Sequence, residues 1–307
     1  YAMMAEFLPA KNRGRWLVLL EGFWAVGTLV VALAAWATSL AGVEDAWRYI
    51  FAVTALPAVI GIGLRFLVPE SPLYLMRAGR SDEAKSIIDE ILVVNGKPAL
   101  PAGQQLETPP SVGEVRIFSG PLRRRSLMIL AIWFLVSVSY YGVFAWMPPR
   151  LAGEGFGFVR GYGFLVLIAL AQLPGYALAS YGVEKWGRRP TLIGFCLLSS
   201  AGCLLFVVAG SAVVVGASLL IMSFALLGTW GALYAITPEL YPTASRATGM
   251  GAAGAMARFG GLLAPSLVGL IVAQSFGLAV AIFAALLLLA AIAAFLIDTE
   301  TRAASLA

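Results

Sequence analysis

Apolar residues run in blocks of about twenty along most of the chain, separated by short clusters of Gly, Pro, Lys and Arg. Helices of that length cross a hydrocarbon layer of roughly 30 Å. The pattern predicts eight spans, near residues 16–40, 47–68, 126–147, 161–183, 190–210, 212–236, 248–273 and 276–297. One long hydrophilic stretch, 69–125, interrupts them. Within it Ser81 is placed to cap a helix whose first turn carries Asp82 and Glu83. Its apolar stripe is Ala84, Ile87, Ile88, Ile91 and Leu92, and Asn95-Gly96 ends it. The prolines that follow, Pro98 to Pro121, read as an irregular linker. The predicted organisation is 1–68, a linker at 69–125, and 126–307, in an all-α polytopic membrane helix bundle.

Composition supports this picture. Of 307 residues, 60% are hydrophobic and only 12% are charged, too much apolar surface for a soluble domain of this size to hide. The net charge of +5 does not signal nucleic-acid binding, because the basic residues fall between spans and not on a basic domain. The loops at Glu6–Arg15, 69–125, Glu184–Arg189 and Glu239–Arg246, with the C-terminus, hold nearly all the Lys and Arg. The opposite side has Arg48, Arg150 and Arg160. That asymmetry puts the long loop and the C-terminus in the cytoplasm of a cell inner (plasma) membrane protein.

Several chemistries are excluded. Histidine is absent, so any proton transfer must use carboxylates. No metal-ligand cluster or phosphate loop is present; Asn95-Gly96-Lys97 lacks the upstream glycine and the following Ser or Thr. An enzyme is not expected, and neither is a cofactor. Cys196 and Cys203 lie seven apart in one span and carry no information on redox compartment.

The segment Glu6-Phe-Leu-Pro9-Ala-Lys-Asn-Arg13 returns 233 positions later as Glu239-Leu-Tyr-Pro242-Thr-Ala-Ser-Arg246, each copy followed by a glycine, Gly14 or Gly249. Two such octapeptides, each in a charged cluster between apolar runs, point to a duplicated bundle, the architecture in which transporters hold substrate between repeats. By that analogy a stretch of about four helices precedes Glu6.

Further motifs follow in order: Trp47-Arg48, Pro69-Glu70-Ser71-Pro72 with Leu75 and Gly79-Arg80, Glu184-Lys-Trp-Gly187-Arg188-Arg189, and Pro238-Glu239-Leu240-Tyr241-Pro242-Thr243. With the octapeptides, they resemble the major facilitator superfamily, in the branch shared by sugar porters, organic-ion transporters and synaptic-vesicle-type proteins. Glu184 stands where that family usually has Asp. The resemblance implies twelve helices, of which this chain would hold 5 to 12 and the tail of 4, with the missing N-terminal helices as partners. Ser137-Val-Ser139-Tyr140-Tyr141-Gly142 in helix 7 lacks the amides usual in sugar porters. This run and Gly228-Thr-Trp230-Gly231-Ala-Leu-Tyr234 in helix 10 look more like bacterial niacin-type and aromatic-acid transporters.

Against that background a few residues stand out. Arg258 lies about ten residues, roughly 15 Å, into its span, where a guanidinium needs a wet cavity or an anion. It reads as a clamp on a substrate carboxylate, or else as half of a structural ion pair. Glu21 is the acid clearly within a span and the candidate for proton coupling; the alternative is a structural hydrogen bond or pair near the cytoplasmic end, with Arg15 or a missing helix. Tyr140, Tyr141, Phe144, Trp146, Trp230 and Tyr234 offer stacking faces, with Tyr141, Trp230 and Tyr234 as substrate contacts and Trp146 as an interfacial belt residue. Gln172 is a candidate amide contact. Glu6, Arg13, Glu184, Arg188, Arg189, Glu239 and Arg246 read as a cytoplasmic gate, or as anchoring charge alone.

The expected function is secondary active, proton-coupled transport by alternating access of a small organic anion, an aromatic or heterocyclic monocarboxylate such as nicotinate. Its partners are that anion, the proton and the lipid bilayer. The rivals are a sugar or neutral-metabolite porter and a non-transporting sensor on the same scaffold.

Overall fold

A computed structural model describes residues 1–101, 104, 106, 116–120, 122–153, 161–272 and 275–302. Among the described residues the chain is helical: α1 Ala2–Phe7, α2 Arg13–Leu40, α3 Ala46–Leu67, α4 Pro72–Arg77, α5 Ser81–Val94, α6 Leu122–Gly153, α7 Tyr162–Lys185, α8 Arg188–Val207, α9 Ala212–Glu239, α10 Thr243–Val272 and α11 Phe276–Phe295. Eight of these, all but α1, α4 and α5, are long and apolar enough to cross a membrane. They coincide with the eight predicted spans. Most run past the apolar blocks into the charged clusters: α6 begins with Leu122-Arg123-Arg124-Arg125 and α9 ends on Glu239.

Helix α9 is the hub. It packs against α7, α8 and α2, and it is apolar on all sides, as a helix enclosed by neighbours must be. Around it α11 lies on α8 and α6, and α10 lies on α6. Close approach fixes the α7–α9 crossing. A Cβ on Gly175 would sit 2.3 Å from the Phe224 carbonyl oxygen, so glycine is needed there, next to Pro174 inside α7. Buried hydroxyls tie the helices where no water reaches. Ser200 donates to the Ala284 carbonyl at 2.9 Å, Ser223 to Ile168 at 3.0 Å, and the Trp133 indole to Thr237 at 2.9 Å. By contrast, α3 packs on α2 and keeps its apolar side chains outward, with Phe51, Leu56 and Phe66 exposed.

The hydrophilic stretch differs from its reading in two respects. A short helix, α4, precedes the amphipathic one. Ser71 caps it, accepting from the Tyr74 amide at 3.3 Å, and Pro72 opens its first turn. Ser81 is not the cap of α5. It is the first helical residue, Arg80 takes the cap position without a side-chain bond, and the Arg80 guanidinium instead pairs with Glu83 at 2.6 Å. Ala84 is buried and seats α5 on Leu75 and Met76 of α4. Much of the proline-rich linker, and the Trp146 and Arg150 side chains with Arg160, lie outside the described residues.

Candidate functional site

A cavity of about 210 Å³ opens between α2, α6, α7, α9 and α10. Glu21 and Trp24 line it from α2, Tyr140 and Tyr141 from α6, Tyr176 from α7, Leu227, Trp230 and Tyr234 from α9, and Ala257 and Arg258 from α10. Two charged groups therefore face an aromatic enclosure. The rings are mutually braced: Trp133 meets Trp230 edge-on at 5.3 Å and Tyr234 at 4.8 Å, Tyr140 meets Tyr141 at 5.2 Å, and Tyr1 stacks on Tyr234 at 4.2 Å. Such packing holds flat faces in place without spending side-chain freedom when a ligand enters.

Arg258 has no carboxylate partner among the described residues. Its Nη1 donates to the Gly254 carbonyl one turn back at 3.0 Å, and the residue is exposed and lines the cavity. Among the described residues the structural ion pair that was the alternative for Arg258 is not formed. Glu21 does not pair with Arg15 either; it accepts from the Tyr1 hydroxyl, while the Arg15 amide donates to Glu184 at 2.9 Å.

Of the predicted substrate contacts, Arg258, Tyr141, Trp230 and Tyr234 share this cavity. Gln172 does not line it. One turn before Tyr176 on α7, it is 3% exposed and packed into the helix contacts, with its Oε1 unpartnered. Phe144 packs beside Tyr140 at 4.9 Å without lining the cavity. Trp24 and Tyr176 were not singled out, since aromatic residues in membrane spans mostly serve packing.

A second constellation lies where the charged clusters meet. Glu239 is the centre, with its side chain 2% exposed. Arg188 approaches it with Nε at 3.0 Å and Nη2 at 3.2 Å, Arg13 stands at 3.6 Å, and the Thr301 hydroxyl donates at 2.6 Å. Glu184 holds Arg188 from the other side at 3.1 Å. Gly14 makes this possible: a Cβ there would fall 2.9 Å from the Arg188 guanidinium. Arg246 pairs with Glu6 at 2.7 Å, and the Ser71 hydroxyl donates to the same carboxylate. The two octapeptides adopt the same local geometry. Arg13 Nε donates to the Ala5 carbonyl at 2.9 Å and Arg246 Nε to the Pro238 carbonyl at 3.0 Å, in each case eight residues back.

Arg189 is a correction. Successive helical residues diverge by about 100°, so it cannot follow Arg188 into the network. It lies over the Phe295 ring, 5.0 Å from the centroid, and donates to the Phe295 carbonyl; only its backbone amide meets a carboxylate, Glu300, at 3.0 Å. Glu300, Thr301 and Ser71 were missed, each lying far in sequence from its partner.

A bundle of membrane-length helices around an aromatic-lined cavity, underlain by a duplicated charge network, defines a member of the transporter superfamily that the motifs resemble. The chain belongs to the family described as "Sugar (and other) transporter", whose model matches residues 2–307. It is 37% identical over 272 residues, 87% of this chain, to the niacin transporter NiaP of Acinetobacter baylyi. It is also 31% identical over 98% of its length to the synaptic vesicle 2-related protein of Xenopus laevis. The chain spans 60% and 58% of the length of these two relatives. The fold matches that of the proton:xylose symporter XylE with a TM-score of 0.80 and 21% identity, over 99% of this chain and 68% of that one.

Proposed function

We propose that the protein is a proton-coupled carrier of a small aromatic or heterocyclic monocarboxylate, with nicotinate as the leading candidate. It would sit in the plasma membrane with the long loop and the C-terminus in the cytoplasm. The observation that carries this reading is Arg258: a guanidinium with no acidic partner among the described residues, facing a cavity walled by rings. A planar carboxylate accepts a bidentate pair from it while the attached ring stacks on Trp230, Tyr234 or Tyr141. The similarity to a niacin transporter supports the same substrate class. Glu21, facing the same cavity, is the group assigned to carry the coupled proton.

In this reading the carboxylate and arginine network around Glu239 and Glu6 is the cytoplasmic gate, closed when the pairs are formed. Opening separates them and exposes the cavity to the other side, so that substrate crosses by alternating access. The family description and the fold match to a xylose symporter keep a sugar porter as the second reading. Arg258 weighs against it, because a neutral sugar leaves that charge unpaired.

The test is uptake of labelled nicotinate by the intact protein in liposomes, with and without an inward proton gradient. Gradient-driven accumulation that Arg258→Ala abolishes supports the proposal. Accumulation of xylose or glucose but not nicotinate assigns it to sugars, and saturable binding without accumulation assigns a sensor.

A further inference from the structure

Tyr176 is the buried polar residue of the cavity wall that the proposed mechanism does not use. It is 2% exposed and its hydroxyl has no hydrogen-bond partner among the described residues. Buried polar groups in a membrane bundle are almost always paired, so an unpaired donor beside a cavity has a partner to be supplied. The ring packs close to α9 at Gly231, and the base of its side chain lies beside α2 at Gly22. A Cβ on Gly231 of α9 would approach Tyr176 Cδ1 to 3.1 Å, and one on Gly22 of α2 would come within 3.6 Å of its Cβ. The absence of a side chain at these two glycines leaves room for the ring, most closely at Gly231. The acidic acceptor of the cavity, Glu21, is already engaged by Tyr1.

We infer that the Tyr176 hydroxyl is a specificity-determining donor, giving its hydrogen bond to an acceptor atom in the ring of the substrate. Because α7 packs on α2, α8 and α9, and α10 on α6, α9 and α11, Tyr176 and Arg258 reach the cavity from separate walls. A ligand that satisfies both carries a carboxylate at one end and a lone pair at the other: a heteroaromatic acid and not a carbocyclic one. A site built around a buried hydrogen bond rejects the analogue lacking it, since that analogue leaves the protein group unpaired. This inference rests on the organic-acid reading of the cavity and adds selectivity to it.

The experiment compares nicotinate with benzoate, which has the same shape with C–H in place of the ring nitrogen. Binding of both to the intact protein is measured for the wild type and for Tyr176→Phe. The expected result is a wild-type preference for nicotinate of roughly ten- to a hundredfold, which collapses towards unity in Tyr176→Phe while benzoate affinity is kept or improved. Retention of the preference in the variant overturns the inference, as does equal loss of both ligands, the mark of a purely structural ring. Equal affinity of the wild type for the two acids also overturns it and requires no variant to fold. If the wild type binds neither acid, the organic-acid reading fails first, an outcome distinct from the others.

Discussion

The Glu6 carboxylate and the Arg246 guanidinium meet at 2.7 Å across 240 positions of sequence. The reciprocal pair, Glu239 with Arg13 at 3.6 Å, is formed by the same two octapeptides with the roles exchanged. Each copy of the repeat supplies the base for the acid of the other.

The exchange makes the network testable as a latch. Arg188 is fully buried and Glu239 nearly so. Removing one member of such a buried set leaves the others uncompensated, a loss on the order of 3–5 kcal/mol unless the structure opens to let water in. Glu239→Gln is therefore expected to raise labelling of cysteines introduced between this network and the cavity. Unchanged labelling would remove the gate assignment.

Arg258→Lys and Arg258→Ala separate charge from geometry. Lysine keeps the charge but loses the planar fork, and a lost charge-assisted bond is worth about 1.5–3 kcal/mol. Nicotinate affinity of the lysine variant should drop by roughly tenfold and that of the alanine variant by a further tenfold or more, measured by competition for labelled substrate.

Glu21→Gln retains the size and hydrogen-bonding shape of the side chain but not its proton chemistry. Uptake driven by a proton gradient should disappear, while exchange of labelled for unlabelled substrate continues. Gradient-driven uptake that survives the substitution assigns coupling to another group.

Gly175 sets the contact between α7 and α9. An alanine methyl there would collide with the Phe224 carbonyl, and such overpacking costs about 1–3 kcal/mol. Gly175→Ala should melt several degrees below the wild type in detergent, whereas alanine at Gly194, which meets nothing within 4 Å, should melt within a degree or two of it.

Asp298 lies beyond the last span. The Thr299 hydroxyl, together with the Arg125 guanidinium at 2.9 Å, holds its carboxyl below the usual carboxylate range. A depressed folded-state pKa stabilises above the unfolded value and is lost as pH falls through the folded one. The contribution is thus complete at neutral pH and disappears only in acid. Asp298 is half-exposed, so solvent screening keeps it below about 1 kcal/mol. Asp298→Asn should shift the melting temperature by a small amount at pH 7, and the shift should shrink as the pH is lowered into the acid range.

Much of this was legible beforehand. The spans follow from the length of apolar runs, and Arg258 and Glu21 stand out because charge inside such runs needs a reason. The octapeptide repeat foretold a duplicated architecture, and the family resemblance that Glu6, Arg13, Glu239 and Arg246 belong to one cluster, but neither showed that they pair crosswise. Which of two adjacent arginines turns inward depends on helix rotation, which the sequence of a uniformly apolar bundle does not encode. That is why Arg189 was placed with Arg188 and found on Phe295. Gln172 was misplaced for the same reason. Tyr176 is marked only by the glycines opposite it, Gly22 and Gly231, and these are close to it in space but not in sequence. Ser71-Pro72 did carry a readable start signal for α4, a serine cap followed by proline.

The crosswise pairing has a consequence for chimeras. Because Glu6 pairs with Arg246, and Glu239, held chiefly by Arg188, also meets Arg13, the contact between the repeats is written in both sequences at once. A hybrid that joins the first repeat of this protein to the second of a distant relative keeps these pairs only if the foreign octapeptide brings its own acid and base in the same register. Duplicated halves of this kind drift together or not at all.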